Sequence, residues 1–132
     1  GNLSTADYVF KDLFDRAGKN FAQDILSRLS NRCFSRKNTY AYSHFLNLLK
    51  NISFFFDYKL LIPYATCAIS HIDLSIKDSA ISLFEGWEYE SKDEVEEAVA
   101  ILNNVDTKNI FWLDQYKLEV IEDLQSKIED FL

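Results

Sequence analysis

Cys67 and His71 stand four residues apart in an apolar stretch, a spacing that on a helix puts a thiol and an imidazole on one face, where they could share a metal ion. Cys33 and His44 are the residues that could complete a four-ligand zinc set. No paired C-x-x-C accompanies them, so the residues favour a core thiol beside a satisfied histidine. A Cys–His nucleophile pair has no candidate oxyanion loop near it. Glu94 and Glu97 could do general acid–base work only in a pocket that raises one pKa, and their charged surroundings read as solvent-exposed. No phosphate-cradling glycine loop, nucleophile elbow or helical H-E-x-x-H occurs in the chain. The expectation is a protein that is not an enzyme, with no catalytic, cofactor-binding or metal residues.

Two further constellations carry charge rather than chemistry. Trp87, Glu88, Tyr89, Glu90, Asp93, Glu94 and Glu97 interleave aromatics with carboxylates, and Trp112 with Asp114 follows downstream. Such a surface can steer a basic protein and anchor it through its rings. Arg28, Arg32 and Arg36, with Lys37 beside them, form a basic stripe if that segment is helical, and pairing with the acidic half within the fold is the reading with fewest assumptions.

The elements that must position these residues read as helices. The 132 residues are 48 % hydrophobic but include three glycines and one proline, too few for the many tight turns of a sheet protein. One domain, 1–132, is expected. The chain contains no methionine, and Gly1 is expected to be a tag remnant or a replacement for the native initiator. Two cysteines are too few for a disulfide-stapled scaffold, which together with the lack of any long apolar run points to a cytoplasmic protein that does not enter a membrane.

Ser4 with Asp7 resembles a helix start, followed by an apolar face at Phe10, Leu13, Phe14 and Ala17. Gly18 predicts a break before a second helix carrying Phe21, Ile25, Leu26 and Leu29. Residues 30–38 turn polar and read as a connection. Phe45, Leu48, Leu49, Ile52, Phe55 and Phe56 predict the next helix, and Pro63 is expected in the first turn of the one after it. Ser75 and Thr107 then open two return helices 32 residues apart, and Ser91 with Glu94 forms a capping box for the helix between them. A final helix carries Ile110, Leu113, Tyr116, Val120 and Leu124.

The stretch Asp73–Trp87, with the small Ala80 where two helices would approach closely, resembles the second helix of a HEAT-type repeat, and the likeness extends over residues 63–124. The resemblance implies an all-α chain of five to seven helices in antiparallel hairpins, stacked as a short α-solenoid. It implies ligand binding across stacked helices and transfers no catalytic residue.

Charge selects among partners. Residues 1–84 hold ten Lys or Arg against seven Asp or Glu, a net +3, whereas residues 85–132 hold four against fourteen, a net −10. An acidic half repels phosphate backbones, which excludes nucleic acid as its partner. The expected function is capture of a basic protein. Among small acidic single-domain proteins, immunity proteins that neutralise bacterial toxins of nuclease type are the most specific class that fits. The alternative is a scaffold, or a fragment of a larger helical-repeat protein, that associates with itself.

Overall fold

The computed structural model describes residues 5–35, 39–53 and 58–132, and within them the chain is all-α. Seven α-helices follow one another: α1 Thr5–Ala17, α2 Lys19–Ser35, α3 Thr39–Ile52, α4 Tyr58–Ile69, α5 Leu74–Gly86, α6 Lys92–Asn103 and α7 Phe111–Ile128, with a short 3₁₀ turn over Glu129–Phe131. The residues at Ser4, Arg36–Asn38 and Phe54–Phe56 lie outside the described part, as do the side chains of Asp7, Phe10, Leu13, Phe14, Ala17, Cys33 and Phe34.

The helices form two rows. α3, α5 and α7 pack side by side in that order, while α4 folds back on α5 and α6 on α7. The second row is stitched by side chains: Gln23 Nε2 of α2 donates to Tyr64 Oη of α4 at 2.8 Å, and Tyr58 Oη of α4 donates to Glu97 Oε1 of α6 at 3.1 Å. Leu49, Leu61, Ile76, Phe84, Leu102 and Leu124 are each removed from solvent and belong to one continuous core. Ala65, Ala68, Ala80 and Ala98 are also fully buried, and their small size lets helix backbones approach where a larger side chain would hold them apart.

Local chemistry sets the boundaries. Gly18 breaks the chain between α1 and α2 with φ +90°, a left-handed conformation that glycine adopts without steric cost. Ser91 Oγ accepts from the Glu94 N–H at 3.3 Å, so Ser91 caps α6 as expected, while Glu94 Oε1 accepts from the Glu90 N–H at 3.1 Å, one residue ahead of the cap rather than at it.

Four expectations are corrected. The cap of α5 is Asp73, not Ser75: one Asp73 oxygen accepts from the Ser75 and Ile76 N–H groups at 2.9 and 3.2 Å. α7 begins at Phe111 rather than Thr107, because Asp106 instead closes a turn on the Lys108 N–H at 2.8 Å, and Lys108 and Asn109 both take positive φ. The starts of α5 and α7 are therefore 37 residues apart, and the 32-residue register is not kept. Pro63 sits inside α4, five residues after its start, where it leaves the Lys59 carbonyl without a helical donor. Residues 30–35 continue α2, with Ser30 buried and Arg28 Nε paired to Asp24 at 3.2 Å, so the polar run is a helix end rather than a loop.

No described helix is long and apolar enough to cross a membrane.

Candidate partner-binding surface

The acidic residues named from sequence gather where the end of α5 meets the start of α6. Tyr58, the first residue of α4, is the pivot. Its ring stands edge-on to Trp87 at 5.3 Å and tilted against Tyr89 at 5.5 Å, and Trp87 in turn packs on Phe84 at 5.1 Å. Burial, with the Glu97 carboxylate beside it, pushes the Tyr58 phenol well above its usual range, so it remains a hydrogen-bond donor to that carboxylate. Burial and then Glu94 push the Tyr89 phenol up as well, and its hydroxyl donates to the Phe84 carbonyl at 2.6 Å, satisfying a free acceptor in the last turn of α5.

This geometry divides the sequence-derived set by role. Trp87 is 4 % exposed, and Tyr89 is half-buried, so these rings belong to the framework that fixes the α5–α6 turn and not to the outer surface. Glu94 is engaged as the acceptor for the Glu90 N–H and Glu97 as the acceptor for Tyr58. Glu88, Glu90 and Asp93 are exposed, and no ion pair is formed by any of the three among the described residues. The neighbouring Lys92 Nζ lies 3.6 Å from Glu96, one turn along the same helix.

Trp112 and Asp114 fall elsewhere. They open α7, which begins beside the end of α6, about 18 Å from its start at 1.5 Å per residue. There Asp114 Oδ1 accepts from Thr107 Oγ1 at 3.2 Å, and Trp112 is 52 % exposed beside Phe111 at 79 %. The nine residues are thus two surfaces, one at each end of the α6–α7 hairpin.

Sequence reasoning missed what completes the first surface. The C-terminal turn of α7 returns to it, and Lys127, Asp130 and Phe131 join Trp87, Glu88 and Tyr89 around a cleft of about 370 Å³. Lys127 Nζ lies 5.9 Å from the centre of the Tyr89 ring, within reach of a cation–π contact. Trp87 Nε1 is buried and has no hydrogen-bond partner among the described residues. No local pattern announces this convergence, since it depends on how far α7 runs along α6.

The other residues with chemical potential are dispersed. Cys67 is exposed, contrary to the buried thiol expected from its apolar neighbours, while His71 accepts the Asp73 N–H at Nδ1 and stacks edge-on against Tyr42 at 5.6 Å. No cluster of three or more His, Cys, Asp or Glu capable of holding a metal occurs among the described residues. Arg28 pairs with Asp24 on its own helix and not with the acidic half.

Compared with known families, curated proteins and solved structures, the chain matches none.

Proposed function

We propose that the protein is a non-enzymatic binding module that captures a basic protein partner on the acidic surface at the start of α6. The observation that carries this reading is the state of the cations in residues 85–132. Lys108 Nζ donates to the Ile72 carbonyl, Lys117 Nζ to the Asn103 and Val105 carbonyls, Lys92 pairs with Glu96, and Lys127 lies over Tyr89. Each of the four lysines of this half thus has a contact within the fold that is not Glu88, Glu90 or Asp93, and these three face solvent without an ion pair among the described residues, in a region of net charge −10. A field of one sign raises encounter rates with an oppositely charged protein by roughly 10- to 1,000-fold at low salt.

In its most specific form the partner is a basic toxin domain of nuclease type, and the chain is its immunity protein. The exposed carboxylates then occupy the positions that substrate phosphates would take, while the exposed edge of the 370 Å³ cleft receives a side chain from the partner. The stacked hairpins serve as a HEAT-like frame in this reading. Capture from lysate of the source cell tests it: the wild-type chain is expected to retain a basic protein that a Glu88→Lys, Glu90→Lys, Asp93→Lys variant does not. Equal recovery by both would refute it. These three positions are chosen because none of their side chains caps a helix or holds Tyr58, so the variant reads binding rather than folding.

One observation favours a second reading. Phe111, Trp112 and Leu118 leave a largely exposed apolar stripe along α7, the last helix of its row, as a terminal repeat would if another hairpin or a second copy covered it. Sedimentation separates the two, since a scaffold self-associates and a capture module remains monomeric alone.

A further inference from the structure

At the opposite end of the molecule from the acidic surface, the α4–α5 turn and the α6–α7 connection enclose a cleft of about 260 Å³. Its character is the reverse of its surroundings. Lys77 and Lys108 line it, with Asp106 the single carboxylate, so the lining carries a net positive charge inside a chain of formal net charge −7. Ser70, His71 and Asn104 add polar groups.

Lys77 is the unusual member. It is 4 % exposed, although it sits in the second turn of α5, where the helix macrodipole disfavours a cation. Its Nζ donates to the Ile69 carbonyl at the end of α4, at 3.1 Å, and this is its one hydrogen bond among the described residues. An ammonium has three protons to donate, so two remain on the side that lines the cleft. Burial lowers the Lys77 pKa, Lys108 pushes it the same way, and Asp106 opposes them. A buried cation in this state is stabilised by whatever supplies a negative charge and acceptor oxygens.

The second cation is held at the mouth by its own backbone. Lys108 and Asn109 adopt φ of 54° and 58°, a conformation uncommon for residues with side chains, and Lys108 Nζ reaches the Ile72 carbonyl at 3.0 Å. His71, beside them in the lining, accepts the Asp73 N–H at Nδ1 at 3.0 Å, which fixes its ring against the start of α5.

We propose that this cleft is a binding site for one small anionic group, a phosphate or a carboxylate, held between Lys77 and Lys108. The cleft is below the 300–1,000 Å³ range of drug-sized ligands, and at roughly 30 Å³ per water it has room for about nine waters, a few of which a small anion would displace. The site is independent of the acidic surface: it lies at the other end of the helices and selects the opposite charge.

The test titrates the full chain with inorganic phosphate and, separately, with acetate, against sodium chloride at matched ionic strength. Backbone amide shifts of residues 69–77 and 104–109 are followed by NMR. Saturable shifts confined to these residues are expected with one anion, and the anion that saturates identifies phosphoryl or carboxylate recognition. Lys108→Gln is expected to weaken the affinity about tenfold, as loss of one charge-assisted contact does, and Lys77→Met to abolish saturation. Absence of saturation with both anions overturns the site. So does an unchanged affinity in Lys108→Gln, whose exposed side chain can be altered without disturbing the core even if Lys77→Met does not fold.

Discussion

Replacing Trp87 distinguishes a framework residue from a surface anchor, and its cost can be worked from the structure. The indole is 4 % exposed and meets Tyr58 and Phe84 at ring separations of 5.3 and 5.1 Å. Burying about 150–250 Å² of aromatic side chain at about 25 cal/mol per Å² corresponds to about 4–6 kcal/mol, and truncations of this size in cores cost about 3–5 kcal/mol. Trp87→Ala should therefore remove about 3–5 kcal/mol, much of the total if the stability is the usual 5–15 kcal/mol. Trp87→Phe should behave differently. It leaves a small void but also removes Nε1, a buried donor without a partner among the described residues, whose isolation costs about 1–3 kcal/mol, so the two effects nearly cancel to within about 1 kcal/mol of wild type. Urea denaturation followed by far-UV circular dichroism measures both variants, with the denaturant slope expected to be unchanged. A Trp87→Ala variant within about 0.5 kcal/mol of wild type, the range of ordinary surface substitutions, would refute the reasoning and return Trp87 to the outer surface.

Other consequences can be measured with the same assay. Gly18→Ala should cost about 1–2 kcal/mol from backbone strain alone, because φ is +90° and an added Cβ meets nothing within 4 Å; a neutral result would mean that the α1–α2 break has another conformation. Asp73→Ala should cost about 1 kcal/mol at neutral pH through loss of the α5 cap. The Ser75 hydroxyl, ahead of the Ile76 and Ser75 N–H groups, holds the Asp73 carboxyl below its usual 3.8 against a smaller opposing effect of burial. Its contribution is thus present above pH about 4 and fades as pH falls through the lowered folded value, so wild type and Asp73→Ala should converge in acid. A gap that widens in acid would contradict that sign. Ser91→Ala should cost about 1 kcal/mol and loosen the α5–α6 turn, seen as faster amide exchange at Glu94, whose N–H the Ser91 hydroxyl accepts.

The all-α class was legible because apolar residues recur at helical spacing and turn residues are scarce. The break at Gly18 and the cap at Ser91 were legible for a related reason: each is a local interaction between residues a few positions apart. What was not legible depended on neighbours distant in sequence. Asp73 and Ser75 are both plausible caps, and the choice rests on which oxygen meets the free N–H groups in the folded turn. Pro63 looks like a helix start, but α4 begins at Tyr58, whose buried ring is wedged between Trp87 and Tyr89. The polar run after Ser30 lacks apolar periodicity, yet α2 continues through it to Ser35.

The candidate surface was half legible for the same reason. The carboxylates at the start of α6 were readable as a cluster because they are adjacent in sequence. The role of Glu97 in holding a ring, which separates it from the free Glu88, Glu90 and Asp93, was not, since it depends on Tyr58 arriving from 39 residues away. Trp112 and Asp114 shared the composition of the cluster without sharing its place. Lys77 gave no warning: a lysine at the fourth position after a helix cap reads as solvated, and only the packing of the α6–α7 connection over it closes the cleft.

The central claim is electrostatic capture at the start of α6, and its most direct test is the association rate of the captured partner as a function of ionic strength. The Debye length falls from about 10 Å at 0.1 M to about 3 Å at 1 M, so steering by Glu88, Glu90 and Asp93 must weaken across that range. The wild-type rate is expected to fall steeply with salt, and the Glu88→Lys, Glu90→Lys, Asp93→Lys variant to associate slowly at low salt with no such fall. A wild-type rate that does not change with salt, or a variant that associates as fast as wild type at low salt, would contradict the account.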